Sequence, residues 1–392
     1  MAWRHISQHY TNFESDETFF EGLCLLAQAD FADGRMERAQ AQVAYALSVV
    51  QSRGWLVKDA LIILDGTVIR QQNGIVWTLF MLDRVFSGHT KIWPTVPASS
   101  FLLLLHQAGP TLPDTSQRLD SSARLSMATV SFDESVGMLS ITAVNIELLC
   151  LWQDVVRFIF QDTQPTSVPL WSDGSSRSKI VISLLDLEPR MKGHSYTITG
   201  SPKQANKNPS LRPYFLSWLF HQILHSAMYC CLNHPFLVLS KTRYTRGRLP
   251  LTFLQKSYHD CFIHSNWIVR HITEMEKDLR LVDPFIAHLV AIAATVQLEH
   301  TLSKDKSIAS AARRRFQKCR EYLIDMAKIW PNVSGTISQS DDLASRLQHR
   351  GTIRMTEKEY DGAMPPHTTE NLSLSDHDSQ IMWKLFGHEN FL

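Results

Sequence analysis

The chain has 392 residues, 44% of them hydrophobic and 20% charged, and its 39 Lys and Arg against 38 Asp and Glu leave a formal charge of +1. This composition supports one large or two ordinary cored domains and excludes a disordered or fibrous chain. Near-zero net charge also excludes nucleic-acid binding over the whole surface, so any DNA contact requires a local basic patch.

Cys24, Cys150, Cys230, Cys231, Cys261 and Cys319 are scattered, with no Cys-x-x-Cys pair. The spacing suits neither a disulfide framework nor a zinc site of closely spaced thiolates. It predicts reduced, mostly buried thiols. Residues 1–17 lack a basic start followed by an apolar run, so no secretory signal is read there. No apolar run reaches the roughly 20 residues that a bilayer requires. The best, residues 285–296, is short and carries His288. The expectation is an intracellular, soluble chain, in which Asn332 and Asn371 of the N-x-[ST] triplets have no role.

In chain order, Leu23, Leu26 and Ala27 fall in a first helix. Ala39, Val43, Ala46, Leu47 and Val50 recur three and four apart on a second. Asp33-Gly34 marks the turn between them and Gly54 the stop, giving a helical hairpin. Over residues 74–86, Val76, Leu79, Phe80 and Phe86 share one face while Trp77 and Met81 lie on another. Apolar side chains on two faces imply central burial. Pro94 and Pro97 then turn the chain into an extended crossing.

Residues 109–134 are rich in Ser, Thr, Pro and Asp and read as a long loop. A helix follows over 138–160, with Leu148, Trp152, Val155, Val156 and Ile159 on or near one face. Polar stretches cover 163–177 and 193–213; between them 180–187 reads as a helix, with a short strand as the alternative. Further helices are expected over 214–239, 251–275, 284–298 and 308–330, the last ended by Pro331. Almost no segment alternates with period two, so the fold class is all-α, a multi-helix globular domain. Beyond Pro331 the chain turns polar and poorly periodic over 335–377, then returns to aromatics and leucine over 381–392. The expected organisation is a main domain at 15–334 and a tail at 335–392, with no internal repeat.

Motifs for common chemistry are missing. There is no P-loop and no G-x-G-x-x-G after a strand. Gly193-His194-Ser195 begins like a nucleophile elbow, but Thr197 stands in place of its second glycine. His221 and His225, four apart, share a helix face, but Gln222 replaces the general-base glutamate of H-E-x-x-H. They read as polar spots on a core helix, with a metal site as the minor alternative. Lys241, Arg243, Arg246 and Arg248, with Tyr244, form a basic loop read as solvated rather than phosphate-binding. Arg313-Arg314-Arg315 winds around a helix instead of forming one stripe and reads as a solvated face, with partner binding or nuclear import as alternatives. No catalytic, cofactor-binding or metal-binding residue is assigned, and the chain reads as not an enzyme.

The order of several segments resembles a known family. Leu25-Leu26-Ala27-Gln28-Ala29-Asp30-Phe31-Ala32-Asp33-Gly34-Arg35, then 39–47 and Gly54, is similar to the first helical hairpin of the fungal-specific transcription factor domain. This is the middle homology region of fungal zinc-cluster regulators. Val76-Trp77-Thr78-Leu79-Phe80-Met81-Leu82-Asp83-Arg84 resembles its F-W-x-x-[FY]-x-L-D-R helix, and Lys91-Ile92-Trp93-Pro94 with Pro97 the crossing that follows. Leu232-Asn233-His234-Pro235-Phe236 resembles its L-x-[HR]-P-F helix end. Asp283-Pro284-Phe285 with 291–296 resembles its alanine-rich helix, and 308–331 its closing helix. The likeness is spread over about residues 20–334.

The resemblance implies a nuclear transcription regulator controlling a metabolic pathway such as a secondary-metabolite gene cluster. Its implied partners are the transcription machinery or a coactivator, with homodimers allowed and no membrane contact. Trp77 and Phe80 are expected in the core. Asp83 and Arg84, adjacent and about 100° apart on a helix, are not expected to face each other; each is read as holding a backbone end or a charged partner on another helix. His234-Pro235, with Phe236, is expected to end a helix.

Two departures stand out. The family's basic pair ahead of the Trp helix is reduced to Arg70, with Gln71, Gln72 and Asn73 after it. The N-terminal zinc cluster, or zinc finger, is not in this sequence, so DNA contact and zinc are both expected only through such a module. The alternative is a co-regulator without DNA binding of its own, acting through helix-in-groove contacts or by titrating a partner. In the tail, Asp376, Asp378 and Glu389 bracket Ile381, Trp383, Leu385, Phe386, Phe391 and Leu392. That mixture suits either an activation segment that folds on a coactivator or a C-terminal helix docked on its own domain.

Overall fold

The computed structural model describes residues 16–55, 66–87, 94–96, 141–160, 168–189, 212–242, 249–275 and 281–357, with 375–386 and the single positions 191, 207, 209 and 279. The loop expected at 109–134, the basic positions 243–248, residues 91–93, Pro97 and Thr197 lie outside the described residues. The fold is all-α, and no strand occurs among the described residues. The chain divides into two compact units. One comprises Met1–Val156, Ile182–His221 and Glu276–Leu279; the other comprises Arg157–Val181, Gln222–Met275 and Arg280–Leu392.

In the first unit, α1 (Glu17–Ala32), α2 (Met36–Ser52) and α3 (Gly66–Ser87) pack on one another. Asp16 caps α1 by accepting from the Phe19 N–H at 2.9 Å. Gly34 takes the left-handed turn expected of Asp33-Gly34, with φ +74°. Gly54 ends α2 in the same conformation, φ +71°, while the Trp55 N–H reaches back to the Val50 carbonyl at 3.2 Å. The α1–α2 hairpin closes over Phe20, Ala27, Ala39, Val43, Ala46, Leu47 and Val50, all buried.

Asp30 is buried beside the turn and is held by three side chains. Arg35 Nε and Gln42 Nε2 each donate to it at 2.7 Å, and Arg38 Nε lies 3.0 Å away. A buried carboxylate needs such partners. Helix α3 begins eight residues earlier than the apolar block of 74–86 suggested, and from Ile75 to Phe86 it is buried on most faces.

Helices α4 (Ile141–Phe160), α5 (Ser176–Leu187) and α6 (Arg212–Asn233) follow. Residues 180–187 are therefore helical, as preferred over a strand. The single helix expected over 214–239 is two. After α6, His234 breaks the helix and α7 (Pro235–Thr242) restarts it, with Pro235 in the first position, where a missing N–H costs nothing.

In the second unit, α8 (Leu251–Glu274), α10 (Lys306–Ala327), α11 (Val333–Glu357) and α12 (Asp376–Leu385) all contact α9 (Pro284–His300). Helix α9 is buried along nearly its whole length and on every face. Asp283 caps it through the Phe285 N–H at 2.8 Å, and Asp305 caps α10 through the Ser307 N–H at 2.8 Å.

The break expected after residue 334 falls inside α11. The polar stretch from 335 to 357 is helix, and Val333, Ser340, Leu343, Ala344 and Leu347 are buried in it. Its apolar stripe is narrow, one or two residues per two turns, so Ser, Thr and Asp on the remaining faces obscure the period. Of the two readings of the C-terminal aromatics, the structure shows the docked helix. Ile381, Met382, Leu385 and Phe386 of α12 are buried. Glu389, Phe391 and Leu392 lie outside the described residues.

Leu343→Ala should lower unfolding free energy by about 2–5 kcal/mol, measured by denaturant titration. A loosely attached tail would show almost no change.

Candidate functional site

Two buried polar networks occupy the positions singled out in the sequence. The first lies at the C-terminal end of α3. Trp77 and Phe80 are buried there, their rings edge to face at 6.2 Å. Asp83 and Arg84 are buried too, at 0% and 1% exposure. A charge so deep requires dense pairing. Arg84 donates to the Val96 carbonyl and to Gln153 Oε1 on α4, and its guanidinium lies 4.4 Å from the centre of the Phe80 ring. Gln153 Nε2 then donates to Ser87 Oγ at 2.6 Å. Asp83 accepts from the Thr95 N–H at 3.0 Å.

Burial pushes the Asp83 carboxyl above its ordinary value; the Thr95 N–H and then Arg84 pull it back. The expectation that Asp83 and Arg84 turn apart is corrected in one respect. Arg84 Nη2 comes within 3.9 Å of Asp83 Oδ2, because the long arginine side chain folds back beside its neighbour. Both residues grip backbone at 95–96. This network fastens the protein's own chain and presents no nucleophile.

The second network surrounds His234 in the break between α6 and α7. The Phe236 N–H donates to Nδ1 at 3.3 Å, which leaves the proton on Nε2, facing Thr295 Oγ1 at 3.1 Å. Thr295 in turn donates to the Ile292 carbonyl at 2.7 Å. Burial, and then His300, push the His234 imidazole down to about 3. Glu299 Oε1 is 3.9 Å from His234 Nδ1, and burial pushes its carboxyl up to about 8. At pH 7 both groups are therefore neutral, so their approach is not an ion pair.

His300 lies against two rings, Tyr258 at 4.4 Å and Phe262 at 4.1 Å, and its Nδ1 donates to the Val296 carbonyl at 2.9 Å. Helix α12 closes the cluster. Phe386 meets the His234 ring edge-on at 5.1 Å, and Trp383 meets Phe236 at 5.2 Å. Pro235 is buried and Phe236 partly so. Thus His234, Pro235 and Phe236 do more than end a helix; they seat the C-terminal one.

His221 and His225 have separate partners. His221 Nδ1 pairs with Asn145 Oδ1 at 3.1 Å. His225 packs beside Tyr229 and His264, whose rings stack at 4.2 Å. Burial pushes His225 down to about 4. Among the described residues no three His, Cys, Asp or Glu side chains converge in a way that suits a metal ion. All six cysteines are free, and Cys230, Cys231, Cys261 and Cys319 are buried in the second unit; burial pushes the thiols of Cys231, Cys261 and Cys319 up. Lys241, expected in a basic loop, stands instead in the last turn of α7 and lies over the Phe158 ring at 4.7 Å. No helix among the described residues is long and apolar enough to cross a membrane.

Thr295, Glu299, His300 and Gln153 were not singled out from the sequence. Glu299-His300 did carry a signal, two adjacent ionisable residues closing a mostly apolar helix. No family model, curated protein or solved structure matches the chain.

Arg84→Met should cost about 3–5 kcal/mol, because Gln153 and the Val96 carbonyl lose a charged donor. Arg84→Lys keeps the charge but loses the planar fork, and thermal unfolding should place it between wild type and Arg84→Met.

The second network sets a pH response. Protonated Glu299 stabilises the fold fully below its ordinary value of 4.5, and that contribution is lost as pH rises to about 8. Neutral His234 and His300 act oppositely. Their contribution is complete above 6.5 and is lost as pH falls toward about 3 and about 4. Stability should therefore peak near pH 6.5 and decline on both sides. Glu299→Gln should flatten the alkaline limb, worth up to about 1.4 kcal/mol per pH unit, and leave the acid limb in place. Unfolding curves from pH 5 to 9 read both limbs.

Proposed function

We propose that this chain is the regulatory body of a fungal zinc-cluster-type transcription regulator and not an enzyme. The observation that carries this reading is the helix from Val76 to Arg84. Its sequence resembles the family's most recognisable motif, and its Asp83 and Arg84 each bind the chain twelve residues further on, at Thr95 and Val96. The His234-Pro235-Phe236 motif supports the same reading, since it too sits at a structural joint and organises a polar cluster. In this reading the two buried networks are scaffold, and regulation comes from what the scaffold binds. The protein acts in the nucleus, through transcription machinery or a coactivator, on genes of a metabolic pathway such as a secondary-metabolite cluster.

Deletion of the gene in its native host, followed by transcript profiling, tests the proposal. A coordinated rise or fall of a defined gene set is expected. Unchanged transcripts under conditions where the protein is expressed would overturn it.

A further inference from the structure

Helix α10 is divided lengthwise. Ala309, Ala312, Cys319, Tyr322, Leu323 and Met326 face the interior. At about 100° per residue, Lys306, Ser310, Arg313, Arg314 and Gln317 fall in a sector on the opposite side. All five are exposed. Arg313 and Lys306 are seven residues apart and so nearly in line, while Arg314 stands a quarter turn round and donates to Ser310 at 2.8 Å. The triple arginine does wind around the helix, but two of its members join Lys306 in one exposed sector.

Charge on this face is not balanced locally. From 304 to 320 the chain carries Lys304, Lys306, Arg313, Arg314, Arg315, Lys318 and Arg320 against Asp305, which is engaged as the N-cap. Lys318 is paired with Glu321 at 2.8 Å and Arg320 with Asp341 at 2.8 Å. Lys304, Lys306 and Arg313 have no acidic partner among the described residues. Arg315 points away from this sector: its guanidinium lies over the Phe262 ring at 5.5 Å and is pushed down by burial and then by Arg314. A chain of net charge +1 thus concentrates uncompensated cations on one helix face.

We propose that this sector of α10 is a sequence-independent seat for the phosphates of double-stranded DNA. Between Lys306 and Lys318 the sector carries no apolar side chain; Ser310 and Gln317 fill the gaps. Over that stretch a protein helix would find no apolar anchor points, the exposed Ile324 lying about two turns beyond Gln317, whereas a phosphate backbone is bound by cations and neutral donors. The helix rises about 16 Å from Lys306 to Gln317, and duplex DNA carries one charge per about 1.7 Å of its axis, so several phosphates lie within reach. The family resemblance implies DNA contact only through a separate module; this face is a local basic patch of the kind that any DNA contact by a chain of net charge +1 requires. The inference does not rest on the regulator reading.

The test is fluorescence anisotropy with the full chain and a labelled duplex of about 30 base pairs and arbitrary sequence, from about 50 to 200 mM salt. Binding should weaken with salt with a logarithmic slope near −3, for about three phosphates, and a scrambled duplex should compete equally. Arg313→Glu with Arg314→Glu should weaken binding at least tenfold at the lowest salt and reduce the slope by about two. Lys306→Glu should act in the same direction by a smaller step. Lys256→Glu, an exposed lysine on α8, should bind as the wild type does, and circular dichroism should show every variant folded.

Absence of binding at about 50 mM salt, or a double variant as tight as the wild type, would overturn the proposal. So would capture of a polyglutamate peptide by this face without DNA binding, which would assign it to an acidic protein. Transcript profiling is independent of these outcomes, so either proposal can fail alone.

Discussion

A helix buried on every face sets the terms for the second unit. Helix α9 runs from Pro284 to His300 with almost no side chain exposed. Such a helix has no solvent stripe and must be covered all round. Helices α8, α10, α11 and α12 provide the cover. Most of its polar groups are satisfied internally, since an unpaired group at such depth costs about 1–3 kcal/mol; Gln297 Oε1 and Glu299 Oε2 are the exceptions. Thr295 bonds His234, Gln297 Nε2 reaches Ser265 and Asn266 at 2.7 and 3.0 Å, and His300 Nδ1 donates to the Val296 carbonyl. These bonds fix where α8 and the His234 break stand relative to α9. They explain why residues from 333 onward belong to the folded unit. Without α11 and α12, apolar surface of α9 and the His234 cluster would face water.

The first unit solves a different problem with the same rule. Its buried ionisable groups are each held by several donors or acceptors. Asp30 is surrounded by Arg35, Arg38 and Gln42 beside the α1–α2 turn. Arg84 is surrounded by Val96, Gln153 and the Phe80 ring. In both places the partners come from segments far apart in sequence or from opposite sides of a turn. The networks therefore fix the register between segments that apolar contact alone would leave free to slide. In the second unit the equivalent groups, His234 and Glu299, have instead surrendered their charge to burial.

The hairpin of α1 and α2 was legible because its apolar spacing, its Asp-Gly turn and its Gly54 stop all agree. Trp77 and Phe80 were legible as core for a related reason, since apolar side chains on two helix faces leave no solvent side. Helix α11 was not legible. Val333, Leu343 and Leu347 are too sparse to outweigh the surrounding Ser, Thr and Asp, and the helix is secured by tertiary packing rather than by its own pattern. The roles of Asp83 and Arg84 were half legible. Two adjacent charges on an apolar helix announce buried pairing, but the partners lie at Thr95, Val96 and Gln153, and no local rule names them. The joint at His234 was visible through Pro235, whereas the docking of Phe386 upon it depends on a segment about 150 residues away, beyond any periodicity argument.

The two treatments of charge bear on recognition. His234, Glu299 and His300 in the core of the second unit are neutral near pH 7, and the ionisable groups buried in the first unit are engaged by their neighbours. What remains for a partner to feel at a distance is the exposed set, and an even total of acids and bases says nothing about how that set is arranged. On α11 and at the C-terminal end of α10, acids and bases interleave and pair, as in Arg320 with Asp341, Arg346 with Asp342 and Lys328 with Asp325. At the N-terminal half of α10 they do not. Repulsion between Arg313 and Arg314 works against the folded state there; Arg315 is engaged over the Phe262 ring at 5.5 Å, and nothing in the packing of Ala309 and Ala312 requires the other two cations. An anion placed on that face would relieve the repulsion, whereas the packing of the helix would be served equally well by neutral residues.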